Sequence, residues 1–230
     1  MKVMKIALVA AAATVALSGA AMAEELKLSY NVGVTSDYVF RGISNTQEDP
    51  AVQGGVDATY GIGYAGVWAS NVDFGVDDPS AEIDLYAGVR PTINDVSFDL
   101  GVIYYGYTKD KGLTPGSWSY VELKAAASRA IGPATVGVAF YYSPEFPGKT
   151  GSATYGELNA SAPIYEKLTL SGAIGRQEVQ SSADYATWNL GLSYALTDKL
   201  AVDVRYHDTD KHKLGSTYDS RVAVSLKAAF

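Results

Sequence analysis

Apolar and polar residues alternate with a period of two in one segment after another between residues 26 and 230. The C-terminal segment shows this most clearly. Its two faces are Val222, Val224, Leu226, Ala228 and Phe230 on one side and Arg221, Ser225 and Lys227 on the other. Such alternation is typical of a β-strand with one apolar and one polar face, and it does not match the 3.6-residue period of an amphipathic helix. The chain is therefore predicted to be all-β.

Twelve strands are predicted along the chain. They cover residues 26–36, 51–60, 64–73, 81–90, 96–107, 118–129, 134–143, 155–163, 168–177, 185–195, 200–208 and 218–230. Five connections are short and six are longer and polar, and the two kinds alternate. Short periplasmic turns, longer outer loops and an even strand number are the features of an antiparallel up-and-down transmembrane β-barrel.

The N-terminus predicts export. Lys2 and Lys5 precede an apolar stretch over residues 6–17, and small residues follow up to Ala23. This is the layout of a cleavable secretory signal. The alternative is a membrane anchor helix, but the apolar stretch is short for about 30 Å of hydrocarbon. We expect a signal peptide at residues 1–23 and a barrel at residues 24–230.

The sequence after the predicted signal limits the kinds of structure with which this chain could cross a membrane. Outside the signal, no apolar run approaches the roughly 20 residues of a spanning helix. Only helices and closed barrels satisfy every backbone polar group in lipid. A membrane-spanning form of this chain is therefore expected to be a closed barrel.

The net charge argues against one class of partner, and the cysteine content excludes two kinds of covalent or metal site. The formal net charge is −7, and loss of the signal with its two lysines would make it −9. An acidic chain argues against nucleic-acid partners, which select a basic face. The chain has no cysteine, so disulfides and thiolate metal sites are excluded.

A soluble β-sandwich or lipocalin-like barrel would also alternate. Aromatic residues near the ends of the predicted strands favour the membrane, because two belts of amphipathic rings match its two interfaces. The predicted belts are Tyr60, Tyr64, Tyr165, Tyr194 and Phe230 on the turn side and Tyr104, Tyr107, Tyr142, Tyr185, Tyr206 and Tyr218 on the loop side. The expected location is the outer membrane of a Gram-negative bacterium, with outer-membrane lipid as a partner.

Several segments resemble a known family. Residues 36–44 (SDYVFRGIS), followed by residues 50–55 (PAVQGG), are similar to the TorF family of predicted proteobacterial outer-membrane proteins. Residues 64–72 (YAGVWASNV), 84–88 (DLYAG) and 104–107 (YYGY) resemble the next blocks of that family. The match is dense over residues 30–107 and loose afterwards. The resemblance implies a porin, and it carries no binding residues to transfer.

Nothing in the chain predicts an enzyme, a metal site or a cofactor. The two histidines, His207 and His212, have no nucleophile elbow near them. Lys211 and Lys213 flank His212 and would repel a cation. We therefore expect a non-enzymatic protein without catalytic residues, metal or cofactor.

The polar faces of the predicted strands form the candidate pore lining. It comprises Lys27, Asp57, Glu82, Asp84, Arg90, Asp99, Glu122, Lys124, Glu157, Asp203, Arg205, Arg221 and Lys227. One interpretation is structural, since buried ions are tolerated when they are paired. The other is a wet channel whose charges orient small polar solutes.

Two functional predictions follow from the barrel. Twelve strands enclose a lumen on the order of 10 Å wide before any loop folds inward, which suits passive or weakly selective diffusion of small hydrophilic solutes. The alternative is a closed structural or surface-recognition barrel that acts through its extracellular loops. The first loop, with Tyr38, Phe40 and Arg41, is a candidate constriction, and a plain surface loop is the other interpretation.

Phe230 is the predicted assembly signal. A terminal aromatic residue that ends an alternating strand resembles the signal that the outer-membrane assembly machinery reads. That machinery is therefore an expected partner.

Overall fold

The computed structural model describes residues 25–75, 79–110 and 117–230, so the signal peptide predicted at residues 1–23 lies outside it. The described residues form twelve long strands. They are β1 (Lys27–Thr35), β2 (Ala51–Tyr60), β3 (Gly63–Asn71), β4 (Ala81–Val89), β5 (Val96–Tyr107), β6 (Tyr120–Ile131), β7 (Ala134–Ser143), β8 (Ala153–Tyr165), β9 (Leu168–Val179), β10 (Tyr185–Ala195), β11 (Leu200–Thr209) and β12 (Arg221–Ala229).

The strands close into a single antiparallel barrel. Each strand pairs with its neighbour in the chain, and β1 pairs with β12 from Asn31 opposite Ala229 to Thr35 opposite Ser225. Tyr30 and Phe230 complete this seam by exchanging backbone hydrogen bonds of 3.1 and 2.9 Å. The predicted closed twelve-strand barrel is confirmed.

Small elements occupy some of the connections. The first loop contains a hairpin of Val39–Phe40 and Ile43–Ser44. Thr92–Ile93 pairs with the start of β5. Short 3₁₀ turns lie at Pro147–Lys149, His212–Leu214 and Ser216–Tyr218. The last of these is why β12 begins at Arg221 and not at residue 218. No helix in the described part of the chain is long and apolar enough to cross a membrane.

The turn before β5 shows how local sequence sets strand pairing. Asn94 and Asp95 both have positive φ, 49° and 64°, and they join Ile93 to Val96. Two consecutive residues of positive φ form a type I′ turn, whose twist matches that of the strands it joins. Asn and Asp tolerate this conformation better than most residues.

The barrel has apolar side chains on its outer face and polar side chains in its interior, which is the reverse of the arrangement in a soluble protein. Large apolar side chains such as Leu85 and Val222 are 54% and 59% exposed on the outer face. Glu82 and Glu122, which point inward, are each 1% exposed. An apolar outer band around a polar interior is the distribution that a bilayer selects.

Three members of the predicted aromatic belts are wrong, because Tyr64, Tyr107 and Tyr185 lie on the inner face, with Tyr107 opposite the inward-facing Glu82. Tyr64 and Tyr185 are only 9% and 5% exposed and lie inside the barrel. Their positions alternate with outward-facing neighbours, so strand register decides their side even though both are near strand ends. Tyr60, Tyr165, Tyr194 and Phe230 are exposed, in keeping with the turn-side belt.

Candidate functional site

The first loop folds into the barrel and is anchored to its wall at Asp37. The Asp37 Oδ1 atom accepts hydrogen bonds from Ser44 Oγ at 2.6 Å and Thr46 Oγ1 at 2.9 Å. Its Oδ2 atom accepts one from Arg221 Nη1 of β12 at 3.1 Å. The Asp37 and Arg221 side chains are almost fully buried. A buried ion pair with further hydrogen bonds therefore holds the base of the loop.

The tip of the loop reaches strands four or more positions away around the ring. The Arg41 guanidinium donates to both carboxylate oxygens of Glu122 on β6, at 2.8 and 2.7 Å, and to Gln177 Oε1 on β9 at 3.0 Å. Tyr105 Oη also donates to Glu122, at 3.1 Å. The two-pronged contact matches the planar fork of a guanidinium to a carboxylate.

Aromatic rings surround the same guanidinium. Its carbon lies 4.7, 4.8 and 4.3 Å from the ring centroids of Phe40, Tyr141 and Tyr155. Contacts of this kind attract a cation to the face of a ring, and more strongly away from water. Arg41 is therefore held both by hydrogen bonds and by a cage of rings.

Gly42 lets the loop approach the inner wall closely at β10. Its φ is +84°, and a Cβ atom there would lie 2.1 Å from Thr187 Oγ1 on β10. Any other residue would be strained and would clash with the wall.

Beside the loop lies an acidic pair on β4. Tyr38 Oη donates to Glu82 Oε1 at 3.3 Å, and its ring packs edge-on against Trp68 with centroids 5.4 Å apart. Burial, and then the negative charge of Glu82, raise the pKa of the Tyr38 hydroxyl well above 10, so it remains a donor. Glu82 Oε2 and Asp84 Oδ1 are buried and have no hydrogen-bond partner among the described residues.

A cavity of about 490 Å³ lies between the first loop and the inner wall of the barrel. The loop contributes residues 37–42, and the wall contributes strands on several sides of the lumen. The charged residues that line it are Asp37, Arg41, Glu157, Asp203, Arg205 and Lys227, and His207 and Asn159 also face it. The cavity is thus polar and carries both signs of charge.

The remaining predicted lining residues fall into separate clusters. Asp99 pairs with Arg90 at 3.1 Å and with Lys124 at 2.8 Å, and it accepts a hydrogen bond from Tyr64 at 2.6 Å. Asp57 accepts a hydrogen bond from Tyr86 at 2.8 Å. Lys27 is exposed at the start of β1.

Sequence reasoning missed several residues of the site. Gln177 and Asn159 lie on the polar faces of predicted strands, but the predicted lining comprises only charged residues. His207 is considered in the sequence as a possible catalytic or metal-binding residue and not as part of the lining. Asp37 was missed although it belongs to the resembling segment at residues 36–44. Its role depends on Arg221, which is 184 residues away in the chain.

The described residues contain no group of three or more His, Cys, Asp or Glu side chains able to hold a metal ion. His212 is engaged with Asp208, with 2.7 Å between Nε2 and Oδ1. His207 lines the cavity, and no described residue forms a side-chain hydrogen bond with it.

Comparison with known families gives a match over most of the chain. The family described as "Bacterial protein of unknown function (Gcw_chp)" matches residues 19–230. Comparison with curated proteins gives no match. The resemblance of residues 30–107 to the TorF family remains an interpretation of those residues.

Several solved structures of similar fold are described as porins or outer-membrane channels. A KdgM porin in complex with disordered oligogalacturonate has a TM-score of 0.61 at 9% identity and covers 88% of this chain and 98% of its own. A NanC porin has a TM-score of 0.55 at 10% identity, with the same coverage. An outer membrane channel from Pseudomonas putida F1 has a TM-score of 0.50 at 10% identity and covers 93% and 99%. At such identities the likeness concerns the fold.

Proposed function

The chain belongs to the Gcw_chp family of bacterial proteins of unknown function, and we propose that it is an outer-membrane channel for small hydrophilic solutes. Diffusion is passive or weakly selective. The protein resides in the outer membrane of a Gram-negative bacterium, where its apolar outer face contacts lipid.

The observation that carries this proposal is the polar cavity of about 490 Å³ inside the closed barrel. A purely structural barrel would be expected to pair its inward charges, because ions removed from water are costly unless they are paired, but Glu157 and Lys227 line this cavity without an ion-pair partner among the described residues. A wet lumen keeps these groups hydrated and offers small solutes a path.

The first loop is the proposed constriction. Tyr38, Phe40 and Arg41 all line the cavity, and Arg41 is fixed by Glu122 and Gln177. The thirteen inward charges predicted from the sequence are proposed to set the field along the path. The TorF resemblance, which implies a porin, agrees with this assignment.

The ligand of a similar structure is not assigned to this chain as its substrate. A KdgM porin was solved with an oligogalacturonate. At 9% identity the similarity supports a shared barrel architecture, but it does not show that the ligand contacts are shared. The solute class must therefore be argued from the residues of this chain.

A second function is favoured by the same loop. Because Arg41 joins the loop to two other strands, the barrel could be closed at this level and act through its extracellular loops as a structural or recognition protein. Conductance separates the two functions.

The test is reconstitution of the purified, folded protein in a planar lipid bilayer. The channel proposal expects stepwise single-channel currents, and it also expects liposomes containing the protein to swell in small neutral sugars but not in large dextrans. Protein boiled before reconstitution is the control. Folded protein that inserts but carries no current and admits no sugar supports the closed barrel and refutes the channel.

A further inference from the structure

The charged residues that line the cavity divide into paired and unpaired groups. Asp37 pairs with Arg221 at 3.1 Å, Arg41 with Glu122 at 2.7 Å, and Asp203 with Arg205 at 3.0 Å. Glu157 and Lys227 form no ion pair with any described residue. The charge available to a solute is therefore one carboxylate and one ammonium.

Glu157 on β8 is held in place by neutral donors. Tyr155 Oη donates to its Oε2 at 2.9 Å, and Asn159 Nδ2 donates to its Oε1 at 3.0 Å. The nearby Arg41 lies over the Tyr155 ring, but its ion pair is with Glu122. These contacts orient the Glu157 carboxylate and leave its negative charge uncompensated, with lone pairs still free to accept from an ammonium.

Lys227 on β12 presents a free cation to the same cavity. Its ammonium has three donors, and no described residue accepts from it. Asp203, the acid that acts on it electrostatically, is already engaged by Arg205 Nη2 at 3.0 Å and Nε at 3.2 Å and by the Ser193 hydroxyl. A solute carboxylate therefore meets no competing internal partner at Lys227.

The two free charges lie on different walls. β8 and β12 are four strands apart in a ring of twelve, which is one third of the circumference. Both residues border one cavity of about 490 Å³, a volume within the usual range for small-molecule sites. A solute in the cavity thus faces opposite charges on two sides.

We propose that the cavity is a transit site for small zwitterions, solutes with an ammonium at one end and a carboxylate at the other, such as amino acids and short peptides. The solute ammonium binds Glu157 and the solute carboxylate binds Lys227. This deepens the proposed channel function and rests on it. A solute with a single charge would gain one contact and meet repulsion at the other, which is how paired charges exclude wrong ligands.

The proposal is tested by liposome swelling with two probes of similar size, triglycine and glucose. A solvent-exposed ion pair changes a binding constant by about 1.4- to 5-fold. With two such contacts, we expect triglycine to enter about fivefold faster than glucose through the wild-type protein. Glu157→Gln and Lys227→Met should each reduce this ratio, and the double variant should bring it to about one while glucose entry is retained.

Two variants outside the cavity provide matched controls, one near the end of β9 and one in the loop after β11. Glu178→Gln and Lys211→Met remove the same charges from exposed side chains outside the cavity, so the triglycine-to-glucose ratio should stay at the wild-type value. Reversal potentials in a salt gradient give a second measurement. Glu157→Gln should shift selectivity toward anions and Lys227→Met toward cations.

The possible outcomes separate this proposal from the channel itself. No entry of either probe refutes the channel. Equal entry of both probes in the wild type, or a ratio that the double variant leaves unchanged, refutes the zwitterion site and leaves the channel intact. If Lys227→Met does not fold, Lys227→Gln makes the same comparison with a polar side chain.

Discussion

The guanidinium of Arg41 lies 2.7 and 2.8 Å from the two carboxylate oxygens of Glu122, although 81 positions separate the residues in the chain. Arg41 belongs to the first loop and Glu122 to β6. Their side chains are 5% and 2% exposed. This pair ties the loop to the inner wall of the barrel.

Loss of Arg41 should free the loop. Removing one partner of a buried ion pair costs about 3–5 kcal/mol, because the other charge stays buried without compensation. We expect Arg41→Ala to lower the temperature at which the folded band disappears on an SDS gel and to raise single-channel conductance. Arg41→Gln combined with Glu122→Gln should recover most of the stability. An Arg41→Ala protein with wild-type conductance and unfolding temperature would contradict this role.

The outer face of β4 should reject charge, and its inner face should tolerate loss of charge. Leu85→Arg places a cation in lipid at a cost of about 2–4 kcal/mol near the midplane, so we expect assembly to fail. Asp84→Asn is the matched inner change and should fold with altered ion selectivity only. The measurement is the amount of heat-modifiable protein in the outer membrane. Similar amounts for both variants would show that the assigned faces are wrong.

Asp99 should behave differently from Asp84, because Arg90 and Lys124 both pair with it. From the sequence alone, Asp99→Asn is expected to fold and change only selectivity. From the structure, it should also lower the unfolding temperature, since two inward cations lose their partner. Equal unfolding temperatures for Asp84→Asn and Asp99→Asn would speak against this difference.

Glu82 and Glu122 are a matched pair for testing buried charge. Both are 1% exposed, but among the described residues Glu122 has a cationic partner and Glu82 has none, and Glu82 lies near Asp84 with one oxygen atom that no described residue hydrogen-bonds. Two buried carboxylates close together disfavour each other's ionised form. We expect Glu82→Gln to match or exceed the wild-type unfolding temperature and Glu122→Gln to lower it. The opposite order would refute this account.

Phe230 should matter for assembly. Its backbone closes the seam with Tyr30, and its ring is exposed at the expected turn-side interface, where aromatic rings are favoured. We predict that deletion of Phe230 causes periplasmic accumulation and degradation, while export itself is unaffected. Fractionation at native expression level is the measurement, and Phe230→Tyr should retain function. Normal outer-membrane levels of the deletion variant would show that the residue has no special role.

His212 should respond to pH in the last loop. Its hydrogen bond with Asp208 raises the pKa of His212 above the ordinary 6.5. The stabilisation from this ion pair is therefore complete below about 6.5 and is lost as pH rises through the higher folded value. NMR titration of labelled histidine in micelles should show the raised midpoint, and Asp208→Asn should return it toward 6.5. An unchanged midpoint in that variant would exclude Asp208 as the cause.

The barrel could be predicted from the residue pattern alone. Alternation along segments such as residues 221–230 is a local property of an extended chain, so it revealed the strands and the face of residues such as Leu85 and Asp84. The alternation of short and long connections then required antiparallel neighbours and an even strand number.

Which charges pair with each other depends on the three-dimensional fold. The partner of Arg41 depends on how a loop of irregular backbone folds across a closed ring, and that path is set by distant contacts such as the pairing of Asp37 with Arg221. The same closure left Glu157 and Lys227 unpaired and gave Asp99 two cations. The alternation of side chains along a strand is a local property of the sequence. The pairing of charges across the lumen depends instead on strand register and on closure around all twelve strands. No single segment of the sequence contains that information.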